Sequence, residues 1–128
     1  MKIRFFEYSK CSTCVKARKW LESRRIAIEV IPIVETPPTR QELVKWMKSS
    51  GIEPKKFFNT SGLSYRNGKF GEKLPKMSIE QMAEALASDG KLIKRPLLVD
   101  GDRVLVGFDE KAYSERLTAA AVQDRSAT

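Results

Sequence analysis

An apolar run from Lys2 to Tyr8 gives way within a few residues to a helical pattern from Thr13 to Arg25, and a second apolar run follows from Ala27 to Val34. The second run is β-branched through Ile28, Val30, Ile31 and Ile33, as a strand requires. Strand, helix and strand in that order constrain the fold strongly. The two strands must lie parallel, and the helix must cross between them in the right-handed sense.

The only two cysteines of the chain, Cys11 and Cys14, fall at the first strand-to-helix junction. Cys11 is expected at or just before the helix N-terminus. Unpaired backbone N–H groups and the positive end of the dipole there favour a thiolate over a thiol. Lys10 adds a positive charge beside it. Cys14 lies one turn further along the same face and can resolve whatever forms on Cys11. Its own thiol is expected to titrate near or above the free value. Cysteines at this spacing can also be half of a zinc site, but the chain has no other Cys and no His to complete one. The bland alternative is a pair of inert, buried, small side chains.

The remaining elements follow from caps and breakers. Thr36-Pro37-Pro38 ends the second strand, and Thr39 with Glu42 forms a capping box for a helix running to Ser50, with Gly51 past its end. Pro54 to Phe58 reads as one turn, and Asn59 to Lys76, rich in Ser, Gly and Lys, reads as loop with room for a short helix. Ser78 and Gln81 form a second capping box, and Asp89-Gly90 stops the helix that follows. Pro96 to Val99 and Arg103 to Val106 flank Asp100-Gly101-Asp102 as a hairpin. Asp109 caps a last helix through Tyr113 and Leu117. The expected organisation is one α/β domain over residues 1–121, with a helical insertion at about 36–93, and a frayed tail at 122–128.

With 24 basic against 16 acidic residues the net charge is +8, so the surface should attract anions such as thiolates, oxyanions, glutathione or acidic protein faces. The basic residues are scattered and no nucleic-acid motif accompanies them, so nucleic acid is not expected as a direct partner. No apolar run approaches a membrane span and the N-terminus does not read as a secretion signal, which makes a cytoplasmic location the expectation. In that reducing setting a C-x-x-C is more often a working redox pair than a structural disulfide.

Several segments together resemble the ArsC/Spx family, the thioredoxin-fold group of glutaredoxin-dependent arsenate reductases and Spx transcription regulators. They are Phe5 to Cys14, Glu35-Thr36-Pro37-Pro38-Thr39-Arg40-Gln41-Glu42-Leu43, Phe57-Phe58-Asn59-Thr60-Ser61-Gly62, Ile93-Lys94-Arg95-Pro96-Leu97, and Val106-Gly107-Phe108. The Phe-Phe-Asn-Thr-Ser-Gly run looks most like a C-x-x-C-bearing, arsenate-reductase-like branch. The resemblance implies a thioredoxin-like fold, β-α-β, helical insertion, then β-β-α, with a mixed sheet. It places Cys11 where the reductases keep their catalytic cysteine, and Arg95 where the family keeps an arginine before a cis-proline, here Pro96. Two further arginines of the arsenate reductases fall at Asn59 and at or near Gly107, so arsenate should bind poorly. Cys14 is a feature shared with Spx and glutaredoxins. Gly51 lies near a glycine that Spx uses against the RNA polymerase α subunit, although a helix C-cap explains it equally well.

The reading that results is a cytoplasmic thiol-disulfide redox protein with Cys11 as nucleophile, Cys14 as resolver and Arg95 steadying charge beside them. Pro96, Lys10 and Asn59 would position substrate. No metal or organic cofactor is implied, with glutathione a candidate reductant. Partners would be a protein or small thiol or disulfide, glutaredoxin among them. Two rival readings are an Spx-like redox-sensing regulator that binds RNA polymerase and a glutaredoxin-dependent arsenate reductase.

Overall fold

Alternation along β1 (Ile3–Glu7) sends Ile3 and Phe5 to one face of the sheet and Phe6 to the other, and this division organises the molecule. The structure is a computed structural model and describes residues 3–117. β2 (Ile28–Pro32) pairs parallel to β1, while β3 (Leu97–Asp100) pairs antiparallel to β1 and to β4 (Arg103–Val106). The order β2-β1-β3-β4 makes a mixed four-stranded sheet, as the sequence implied.

Helices cover both faces. On one, α1 (Ser12–Ser23) and the helix at 110–117, here α6, bury Ala17, Trp20, Leu21, Tyr113 and Leu117 against Ile3, Phe5, Leu98 and Leu105. On the other lies the insertion: α2 (Arg40–Ser49), a 3-10 turn (Pro54–Phe57), α3 (Leu63–Asn67), α4 (Phe70–Lys73) and α5 (Ile79–Ser88). Its Leu43, Trp46, Met47, Phe57 and Phe58 pack on Phe6, Leu97, Val99 and Val104. Each fully buried Phe or Leu contributes about 1.5–3 kcal/mol, so the insertion supplies much of the core.

Both capping boxes form, with Thr39 Oγ1 accepting from the Glu42 N–H and Ser78 Oγ from the Gln81 N–H, each at 3.1 Å. Asp109 caps α6, its Oδ1 accepting the Lys111 N–H at 3.1 Å. Gly51, at φ +78°, stands just past the C-cap of α2.

Several boundaries differ from expectation. α1 ends at Ser23 because Arg25 takes a left-handed φ of 57°, closing a cap in which Ile26 N–H bonds to Leu21 O and Arg25 N–H to Glu22 O. β2 stops at Pro32; Ile33 N–H still bonds to Glu7 O of β1 at 2.9 Å, and the chain then turns. Asn59 to Lys76 is mostly helical, because Tyr65, Phe70 and Leu74 close over Phe58 and reward ordering that the polar composition hides. Asp100 is part of β3, paired with Arg103, which leaves a two-residue turn with Gly101 at φ +60°. The expected tail at 122–128 and domain end at 121 lie outside the described residues.

Candidate functional site

Cys11 is the N-cap of α1. Its φ and ψ of −97° and 115° are extended, its carbonyl accepts the Val15 N–H, and its Sγ accepts the Cys14 N–H at 3.3 Å. The sulfur thus takes the place that a Ser or Asp oxygen usually holds at a helix start. The first turn of α1 carries no acidic residue to oppose a negative charge there. Cys11 is partly exposed, whereas Cys14 is fully buried, and the two are free thiols.

Burial pushes the Cys14 thiol up to about 12, with its hydrogen bond to Cys11 adding to the effect. Tyr113 lies close enough to feel the charge of Cys14 and is itself held protonated above the ordinary phenol range, chiefly by burial. Its hydroxyl donates to Gly107 O at 2.7 Å. Glu7, at the end of β1, is engaged by Arg18 of α1 at 2.6 Å, which offsets the negative charge that Cys14 feels from it.

The antiparallel register, Phe6 opposite Leu97, brings Arg95 and Pro96 alongside the end of β1. The Arg95-Pro96 peptide bond is cis, as the family resemblance implied. The Arg95 guanidinium lies over the Tyr8 ring, 4.6 Å from its centroid. Tyr8 also accepts the Cys11 N–H through its carbonyl at 3.0 Å. One residue therefore ties the cysteine loop to the arginine that precedes the cis-proline. In the sequence Tyr8 ends the first apolar run and is given no part in the site; the signal that could have found it is the β1 alternation, which puts Tyr8 on the face of Phe6.

Cys11, Cys14, Arg95 and Pro96 are thus gathered at one end of the sheet. Lys10 is exposed beside them. The main chain of Asn59 is engaged: its N–H bonds to Leu92 O at 2.8 Å and its carbonyl accepts from Gly62 N–H, in a short antiparallel stitch where Phe58 faces Ile93. Among the described residues no hydrogen bond joins Asn59 or Lys10 to Cys11 or Arg95. Nor are any three of His, Cys, Asp or Glu clustered among the described residues as metal ligands would be. No helix among them is long and apolar enough to cross a membrane.

The sequence model of the ArsC family matches residues 6–116, which spans the cysteine pair, the cis-proline and the whole insertion. The chain belongs to the ArsC family. Its relatives include YusI of Bacillus subtilis, 50% identical over 90% of this chain and 98% of that protein. The crystal structure of an ArsC family related protein from Bacteroides fragilis superposes with a TM-score of 0.85 at 46% identity, covering 90% of this chain and 97% of the other. The global transcriptional regulator Spx of Streptococcus agalactiae is 25% identical over 84% of this chain and 77% of its own length. The thioredoxin-like architecture of the family accounts for the sheet order and for the insertion between β2 and β3.

Proposed function

We propose that this ArsC-family protein is a cytoplasmic thiol-disulfide oxidoreductase in which Cys11 is the nucleophile and Cys14 the resolving thiol. The observation that carries the reading is the contrast within the pair. Cys11 Sγ is accessible and accepts a main-chain N–H at a helix start, while Cys14 is buried one turn behind it.

Cys11, as thiolate, attacks one sulfur of a disulfide or glutathionylated substrate; the S–S bond breaks and the departing thiolate takes up a proton. Cys14 then loses its proton and attacks Cys11 Sγ, forming the Cys11–Cys14 disulfide and releasing the second substrate thiol. The substrate gains two electrons, and the protein's disulfide is returned to two thiols by a thiol reductant such as glutathione or glutaredoxin. Arg95, held over Tyr8, is a cation beside the departing thiolate. The high proton affinity of Cys14 suits a resolver, since it stays protonated until the mixed disulfide forms.

A Cys14→Ser variant tests this directly. Mixed disulfides should accumulate on Cys11 and be absent from Cys11→Ser; accumulation in neither variant would remove the reading. The similarity to Spx supports a second reading, in which the same disulfide is a switch on a regulator. Oxidation-dependent co-purification of RNA polymerase subunits with the protein would favour it over the first.

A further inference from the structure

Among the described residues β4 is an outer strand of the sheet, hydrogen-bonded to β3 alone. The bond from Gly107 N–H to Pro96 O, at 2.8 Å, sets which of its residues turn inward. Bonded and non-bonded pairs alternate along an antiparallel ladder, so Leu105, opposite Leu98, points its main chain at β3. Val104 and Val106 must then turn their N–H and C=O groups outward, and among the described residues neither makes another main-chain bond. Such an edge is a template for an added strand.

A groove of about 740 Å³ runs along this edge, with Val104 to Val106 on one side and the segment from Ser50 to Lys56 on the other. Among the described residues four cations line it, Lys55, Lys56, Lys94 and Arg116, against two carboxylates, Glu53 and Asp109. Lys55, Lys56 and Lys94 form no ion pair among the described residues. Cys11, Cys14 and Arg95 are not part of the lining.

We propose that this edge is a docking site for an acidic, extended segment of a partner protein, which adds as a strand beside β4 and sets its carboxylates against Lys55, Lys56, Lys94 and Arg116. The N–H and C=O groups that β3 leaves unpaired on Val104, itself buried, and on half-buried Val106 match the repeat of a peptide main chain, which a small polyanion does not offer. A second copy of the chain fits poorly. Pairing β4 with β4 would press two basic grooves together in a protein of net charge +8. The proposal stands independently of the redox reading.

The test uses a fluorescein-labelled octapeptide of alternating Glu and Val, followed by anisotropy with the full-length protein. Binding should weaken as salt rises from about 0.05 to 0.5 M. It should weaken about tenfold or more in a Lys55→Glu/Lys56→Glu variant, and by a similar factor when alternate peptide nitrogens are methylated. Circular dichroism of the variant checks that it folds, and hydrogen exchange of the unaltered protein should show the Val104 and Val106 amides protected by peptide. Alkylation of Cys11 should proceed at the same rate with and without peptide. Absence of binding at about 1 mM peptide, above any affinity useful for docking, overturns the proposal. So does binding indifferent to methylation, which would mark a site for free polyanions, and so does a stable dimer in which Val104 and Val106 are protected without peptide.

Discussion

Cys11 Sγ accepts the backbone N–H of Cys14 at 3.3 Å, so the outer sulfur is held by the main chain of the residue that would later displace a substrate from it. The bond fixes Cys11 at the helix start while Cys14 remains fully buried. The division of labour proposed for the two thiols rests on this one relationship. Whichever reagent arrives meets Cys11 first, and Cys14 is reached only from within.

Differential alkylation should show it. With its proton affinity pushed up to about 12, Cys14 is thiolate to roughly one part in 10⁵ at pH 7, and burial slows access further. In the reduced protein, iodoacetamide should label Cys11 with Cys14 untouched, as read by peptide mass spectrometry. Faster labelling of Cys14 would reverse the assignment of roles.

The same thiol makes stability depend on alkaline pH. The folded Cys14 holds its proton well above the ordinary value of 9.0, so below about pH 9 both folded and unfolded chains are protonated and its contribution is intact. Between about pH 9 and 12 only the unfolded chain loses the proton, and stability should fall by as much as about 1.4 kcal/mol per pH unit. Tyr113, also raised, adds to the decline in the upper part of that window. Urea unfolding at several pH values, run beside Cys14→Ala, should show a shallower decline in the variant. Equal slopes would rule the effect out.

Local signals carried far in this chain, and non-local ones did not. Thr39 with Glu42 and Ser78 with Gln81 announce their helices because a cap is satisfied within four residues. Cys11 at a helix start is legible for the same reason. Nothing near Asn59 in sequence announces that it pairs with Leu92, or that Lys55 and Lys94 line one groove, since those contacts are made only once the insertion docks on the sheet. The family resemblance supplied the cis bond at Pro96, which spacing alone does not reveal.

Gly90 illustrates a further gap. Sequence assigns it to stopping a helix, but in the structure a Cβ there would lie 2.0 Å from the carbonyl oxygen of Ile33. Backbone cannot yield as a side chain does, so Gly90→Ala should destabilise by about 2–3 kcal/mol or more, seen as a lower urea midpoint. A change within about 0.5 kcal/mol would show that the two segments separate easily.

Arg25 offers the opposite test. A non-glycine residue at φ 57° past a helix end is strained by about 1 kcal/mol, and Arg25 is exposed with its N–H bonded to Glu22 O. Arg25→Gly should therefore stabilise by up to about 1 kcal/mol, offset in part by the freedom glycine gains in the unfolded chain. Thermal melts would record the rise in midpoint, and a lower midpoint would contradict it.

Arsenate reduction should be weak. A small, strongly hydrated oxyanion needs several charge-assisted hydrogen bonds to replace its water, each contributing about 1.5–3 kcal/mol. Where the resemblance aligns three arginines, this chain keeps Arg95 alone. Gly107 is buried with its N–H given to Pro96 and its carbonyl to Tyr113, and Asn59 is engaged with Leu92 and Gly62. Lys55 and Lys56 line the groove along β4, whose lining does not include Cys11, Cys14 or Arg95. About 3–6 kcal/mol of anion stabilisation should therefore be missing, a factor of roughly a hundred or more in affinity. The measurement is arsenate-dependent oxidation of glutathione with glutaredoxin supplied, beside a Cys11→Ser control. Turnover matching that of dedicated reductases, abolished in the control, would overturn the argument and make arsenate the substrate of this cysteine pair.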